Sequence, residues 1–203
     1  MNYIIISGSN RENSQSRKVS NYLQYSLQKQ FDAQVDIIDL HEHTIPMWTE
    51  DIWNAETNQA QSWSTYADMI QKADGVIVVA PEWAGSIPPA LRNILVHLTP
   101  KEVGHKPGLI VSVSAGIGGA HPISELRSFS VKNNAMVYIP DHVIVRHVNK
   151  VLNNNERDES DTDDTWIKDR LDRSVDILNK YARHLKALRN EAGFDFGKYP
   201  YGM

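Results

Sequence analysis

The sequence predicts an α/β fold built on a doubly wound, five-stranded parallel sheet with helices on both faces, and three observations carry that prediction. Five short apolar runs alternate with segments of helical periodicity. The third run, Val76-Ile77-Val78-Val79-Ala80, is apolar without alternation, as a strand covered on both faces must be. Three of the runs open into polar or glycine-bearing turns, and ligands of open α/β sheets sit at the carboxyl ends of the strands.

The first strand is Tyr3-Ile4-Ile5-Ile6. It breaks into a loop of hydroxyl and amide residues, and a helix starts near Ser16 with Val19, Leu23 and Leu27 on one face. Val35 to Leu40 reads as the second strand and His41 to Asp51 as a loop. His41-Glu42-His43 has the residue types of a metal site, but no other cluster of ligands at suitable spacing joins it, so it reads as a polar loop and no metal is expected. Trp63, Tyr66, Ala67 and Ile70 are spaced for a helix from Gln59 to Lys72, and Asp74-Gly75 ends it before the third strand. A helix from Ala90 to Leu98, a fourth strand from Leu109 to Val113, a helix around Ile123 to Val131 and a fifth strand from Ala135 to Ile139 complete the sheet.

Beyond it, Asn153 to Asp164 is a polar, acidic run. It lacks the glycine and closing glutamate of a calcium loop and reads as a flexible lead-in to a helix. That helix carries Ile167, Leu171, Val175, Leu178, Ala182, Leu185 and Leu188 on one stripe. Its acidic start and basic end complement the helix dipole.

At 203 residues, 41% apolar and 23% charged, one domain is expected over 1–203, with its core at about 1–145 and the acidic loop and amphipathic helix at 150–190. A net charge of −4 and no basic stripe argue against nucleic acid as a partner. No cysteine is present, so thiol nucleophiles, thiolate metal sites and disulfides are excluded and redox chemistry needs a bound cofactor. No signal-peptide pattern and no apolar run of membrane-spanning length occur, and the cytoplasm is expected.

The turn after the first strand suits a phosphate. The first N–H groups of a helix lack internal partners and carry partial positive charge. Ser9, Ser14 and Ser16 supply hydroxyls, Arg11 supplies a charged fork, and Gly8 lets the chain turn closely. The three spaced glycines of a dinucleotide fingerprint and the Gly-Lys-Ser/Thr of a Walker loop are both missing. A serine-rich turn fits a terminal phosphate monoester, as in FMN, better than a pyrophosphate; the same residues also fit a plain helix N-cap with a solvated arginine. Two more loops should meet this one: Pro81 to Ser86, with an aromatic, and Ser114 to Gly119, with three glycines.

Gly8-Ser9-Asn10-Arg11 with Ser14 and Ser16, Ala73-Asp74-Gly75, Pro81-Glu82-Trp83, Gly85-Ser86-Ile87-Pro88 and Leu91-Arg92-Asn93 together resemble the NADPH-dependent FMN reductase family, a flavodoxin-like group that includes quinone, azo-dye and chromate reductases. The resemblance runs from residue 1 to about 140. It implies strand order 2-1-3-4-5, a homodimer or homotetramer, and FMN as cofactor with NADPH or NADH as co-substrate. By position, Ser9, Arg11, Ser14, Gln15 and Ser16 look like the FMN phosphate loop. Pro81, Glu82, Trp83, Ala84 and Gly85 look like the segment lining the isoalloxazine, and Ser114 and Gly116 like its third wall. The family usually has tyrosine then asparagine where Trp83 and Ala84 stand, and aspartate then tryptophan where His97 and Leu98 stand. Flavin affinity and subunit contacts are open at these departures.

The expected function is hydride transfer from a nicotinamide to FMN and then to a quinone or other small acceptor in ping-pong order. The cofactor carries such chemistry, so no catalytic side chain is named. No Gly-x-Ser-x-Gly elbow supports a hydrolase. A flavodoxin-like electron carrier and a non-catalytic binding protein are the alternatives.

Overall fold

In the computed structural model, which describes residues 1–129 and 131–198, strands β1 (Asn2–Ser7), β2 (Gln34–Asp39), β3 (Gly75–Pro81), β4 (Pro107–Val113) and β5 (Val137–Val145) lie parallel in the order β2-β1-β3-β4-β5. Ile5 pairs with Ile37 on one side and Ile77 on the other. Every residue of β3 and β4 is buried, as an apolar run without alternation requires. The domain expected over 1–203 includes Ser130 and residues 199–203, which lie outside the described residues.

Alternate strand residues feed two cores. Helices α1 (Gln15–Phe31) and α6 (Thr162–Ala192) cover the face of Tyr3, Ile5, Ile77 and Val111. Helices α2 (Asn58–Lys72), α3 (Pro89–His97), the one-turn α4 (Pro100–Val103) and α5 (Ala120–Phe129) cover the face of Ile4, Ile6, Val78 and Ile110. Local chemistry sets their ends. Ser14 and Thr57 cap α1 and α2 by accepting from Arg17 N and Ala60 N, and Thr99 with Glu102 forms a capping box on α4. Gly193, at φ 55°, closes α6.

Four expectations are corrected. The fifth strand runs from Val137 to Val145, not from Ala135 to Ile139. The strand continues through Pro140 because β5 is an edge strand, and between Gly108 and Ile110 its register slips, so that these two face Tyr138 and His142. A proline without an N–H is accommodated at such an irregularity. Helix α5 begins at Ala120 rather than Ile123, and Ser130 in its expected span lies outside the described residues.

The stripe of α6 is buried from Ile167 to Ala182, but Leu185 is half-buried and Leu188 exposed. Near its start the helix also buries Lys168, whose ammonium pairs with Asp164 at 2.6 Å and donates to Glu156 O at 2.5 Å. The polar run before α6, expected to be flexible, is tied down: Arg157 pairs with Asp169 and with Asp172, and Lys18 reaches Asn153. Among the described residues no helix is long and apolar enough to cross a membrane.

Candidate binding cleft at the carboxyl edge of the sheet

The strand order reverses between β1 and β3, and the loops leaving these strands frame a cleft of about 290 Å³. That is near the lower end for small-molecule sites, roughly 300–1,000 Å³. One side is the turn ahead of α1, from Ser9 and Arg11 to Ser14, Gln15 and Ser16; the facing side is Pro81, Glu82 and Trp83.

The turn is shaped by its backbone. Gly8 donates to Val79 O at 2.9 Å, and a Cβ there would lie 2.6 Å from both Val79 O and Leu91 Cδ2, so no larger residue fits this crossing from β1 towards β3. Asn13 takes a left-handed φ of 50°, which asparagine tolerates, and Ser14 then caps the helix. Ser9 Oγ accepts from Arg11 N at 3.3 Å and Ser14 Oγ from Arg17 N at 3.1 Å. A hydroxyl that accepts keeps its own hydrogen free to donate.

Three groups here await a partner. Ser16 Oγ and Gln15 Oε1 are buried without a hydrogen bond, and Arg11 is exposed with no ion pair among the described residues. Arg17, one turn further on, is spent: it pairs with Asp39 at 3.1 Å and Glu42 at 3.2 Å. An unpaired guanidinium, free hydroxyls and the head of a 17-residue helix make a donor set for a phosphate.

The facing loops are braced from below. Trp83 and Ser86 exchange backbone hydrogen bonds of 2.9 Å in each direction, closing a two-residue turn whose central residues, Ala84 and Gly85, have φ of 49° and 74°. The Glu82 carboxylate accepts from Gly119 N, joining this loop to the glycine turn after β4. Arg146 holds the other side of that turn through Ile117 O and Gly118 O at 2.7 and 3.0 Å.

Eight of the twelve sequence-expected residues therefore line one cleft: Ser9, Arg11, Ser14, Gln15, Ser16, Pro81, Glu82 and Trp83. Ala84 and Gly85 form the exposed turn beside it. Ser114 and Gly116 do not line it, whereas Ala115 between them does; Ser114 Oγ instead accepts from Gly116 N at 3.3 Å. Sequence reasoning missed Asn13, Val113, Ala115, Val148 and Asn149. Asn13 could have been found as a turn residue suited to positive φ. Val148 and Asn149 follow β5 and carry no local signal.

Both substituted positions at the end of α3 face inward. His97 is 2% exposed, bonds Asn93 O through Nδ1 at 2.9 Å and lies 4.8 Å from the Trp63 ring, and burial holds its pKa below the usual imidazole value. Leu98 is buried beside it. His41 and His43 contact Asn10 O and the Tyr66 ring, and among the described residues no group of three or more metal-ligating side chains comes together.

Residues 1–150 match the family described as NADPH-dependent FMN reductase. The NADH:(hydroxy)cinnamate reductase subunit CrdA of Vibrio ruber is 33% identical over 131 residues, 63% of this chain and 61% of that one. A quinone reductase of Escherichia coli K12 is 37% identical over 97 residues, 46% of this chain and 51% of that one. The chain thus spans about half to three-fifths of the length of these relatives. Among solved structures, the flavoenzyme NAD(P)H:(acceptor) oxidoreductase FerB of Paracoccus denitrificans superposes with a TM-score of 0.70 at 21% identity, covering 89% of this chain and 98% of that one, a likeness of fold.

Proposed function

The chain belongs to the NADPH-dependent FMN reductase family, and from that premise we propose that it is an FMN-dependent NAD(P)H oxidoreductase, one domain over its length, acting on quinones or similar small acceptors. The observation that carries the reading is the pairing of an uncommitted Arg11 guanidinium with the buried, unpartnered Ser16 Oγ at the head of α1. Ser9 and Ser14 would add hydroxyl donors and the first N–H groups of α1 the remaining ones, so the site fits the phosphate monoester of FMN. Pro81 to Trp83 would lie against the flat ring system, and Glu82 keeps the glycine turn, with Ser114 and Gly116, beside it.

Bound FMN supplies acceptance of a hydride and delivery of two electrons. The chain's residues bind and orient. If nicotinamide and acceptor share the cleft of Arg11 and Trp83, they take turns there, which gives ping-pong order. A homodimer or homotetramer in the cytoplasm accompanies this reading, and the exposed Met47, Trp53 and Val96 suit such self-association.

Anaerobic mixing of the FMN-loaded protein with NADPH or NADH tests the proposal. Flavin absorbance should bleach and return on adding a quinone, and double-reciprocal plots at fixed quinone concentrations should be parallel. Intersecting lines would remove the ping-pong order. Failure of either nucleotide to bleach the flavin would remove the reductase reading and favour an electron carrier or binding protein.

A further inference from the structure

We propose that the turn Val148–Asn149 is a further wall of the cofactor cleft, with Asn149 a contact for the flavin's polar tail, and that Lys18 of α1 is the positioning residue that sets this wall. The inference rests on the flavin reading above and extends it to residues outside its three loops.

Val148 and Asn149 line the cleft together with the turn of Arg11 to Ser16. They belong to a 3-10 turn, Val148–Lys150, bracketed by two non-glycine residues in the left-handed region, His147 at φ 45° and Leu152 at φ 58°. Such a conformation persists only where its surroundings dictate it. Here the main clamp is one side chain. Lys18 Nζ donates to Val148 O at 2.7 Å, Val151 O at 2.8 Å and Asn153 Oδ1 at 2.8 Å, using all three ammonium hydrogens.

Further bonds add to the hold: His147 N to Gly116 O at 3.0 Å, Val148 N to Ser114 O at 3.2 Å, Lys150 N to His147 O at 2.8 Å, Leu152 N to Asp164 Oδ1 at 2.6 Å and Asn153 Nδ2 to Asn149 O at 3.3 Å. Ser114 and Gly116 thus act on the cleft through this wall. Burial lowers the Lys18 pKa and the nearby Asp164 carboxylate counters it.

Lys18 stands one turn along α1 from the Ser14 cap and lies on the same rod as Ser16. One lysine on α1 therefore ties the helix that begins at the phosphate turn to this wall. The Asn149 side-chain amide has no partner among the described residues and offers two donors and an acceptor, the chemistry that polyol hydroxyls or phosphate oxygens take. Two of the three acceptors of Lys18, on Val151 and Asn153, lie beyond the residues matched to the family, so the clasp depends on sequence outside that match.

A double-mutant cycle on the full chain tests this, read as the FMN dissociation constant from fluorescence quenching. Lys18→Met keeps the stem and removes the donors. It should weaken FMN about tenfold, Asn149→Ala about three- to tenfold, and the double variant less than about twofold beyond the worse single change, since both act through one wall. Amide hydrogen exchange at Val148 and Lys150 in the cofactor-free protein should speed up in Lys18→Met, a readout independent of flavin. A folded Lys18→Met with unchanged FMN affinity, or singles whose effects multiply in full, overturns the inference while leaving the flavin reading in place. Should Lys18→Met not fold, Asn153→Ala removes one acceptor of Lys18 and the Nδ2 donor to Asn149 O, while Asn153→Asp removes that donor alone; a loss of about threefold in Asn153→Ala with Asn153→Asp near wild type supports the inference, and unchanged affinity in Asn153→Ala or equal losses in both overturns it. A wild type that binds no FMN removes the flavin reading and this inference with it.

Discussion

The Glu82 carboxylate accepts a hydrogen bond from the backbone N–H of Gly119, so the loop after β3 holds the loop after β4 by one side chain. Gly119 sits at φ 103°, and a Cβ on it would lie 2.4 Å from Ile144, so no other residue presents its N–H from this position. Removing Glu82 leaves that donor without its partner, at a cost of about 1–3 kcal/mol. Glu82→Ala should lose about that much in urea unfolding and weaken FMN binding. Glu82→Gln, which keeps an acceptor oxygen, should stay close to wild type in both.

Arg11 and Arg17 are six residues apart, and their partners separate them. Arg17 is committed to Asp39 and Glu42, whereas Arg11 has no ion pair among the described residues. Arg11→Ala should weaken FMN by about 1.5–3 kcal/mol, the worth of a hydrogen bond to a charged group, and leave riboflavin, which has no phosphate, nearly unaffected. Arg17→Ala should change FMN affinity little. Titration of all three proteins with both flavins separates these outcomes, and equal losses of FMN and riboflavin would take Arg11 off the phosphate.

Ala84 occupies the first position of a two-residue hairpin turn at φ 49°. A turn of this kind favours asparagine or glycine there, and an ordinary residue in the left-handed region costs about 1–2 kcal/mol. Ala84→Asn should therefore stabilise the protein by about 0.5–1 kcal/mol, a rise in Tm of about 1–4 °C for a chain of this length. Thermal melting would show it; a lower Tm would mean that the turn is held by something other than its backbone preference.

Lys106 is buried and donates to Ile70 O at 2.9 Å and Gln71 O at 2.6 Å, capping α2. Burial and then Arg189 push its pKa down from 10.5 to about 8, against the pull of Asp74 and Glu102. Between about pH 8 and 10 the unfolded chain holds the proton that the folded protein has released, so stability rises with pH there. The gain should be about 2–3 kcal/mol at about 1.4 kcal/mol per pH unit. Above that window Tyr3 and Tyr22, whose pKa values burial raises, work in the opposite direction. Urea unfolding across pH 7–10 should show the rise in wild type and lose it in Lys106→Met.

The sequence by itself determined the sheet, its parallel sense and the turns that meet at its carboxyl edge, because these depend on local signals: unbroken apolar runs, periodicity of 3.6, and a serine turn before a helix. The tertiary structure decided what depends on partners distant in the chain. Nothing near Arg17 announces that Asp39 and Glu42 neutralise it while Arg11 is left uncommitted. The fifth strand, expected to end at Ile139, continues past Pro140 because β5 is an edge with a register slip. Lys168 and Lys106 are buried because carbonyls from elsewhere in the fold, and for Lys168 the Asp164 carboxylate, accept from them. Val148 and Asn149 line the cleft although they are far from its other residues in the chain, and Lys18, 130 residues earlier, bonds Val148 O. A charged or irregular residue is tolerated inside a protein when its partners are present, and those partners are assembled only once the chain has folded.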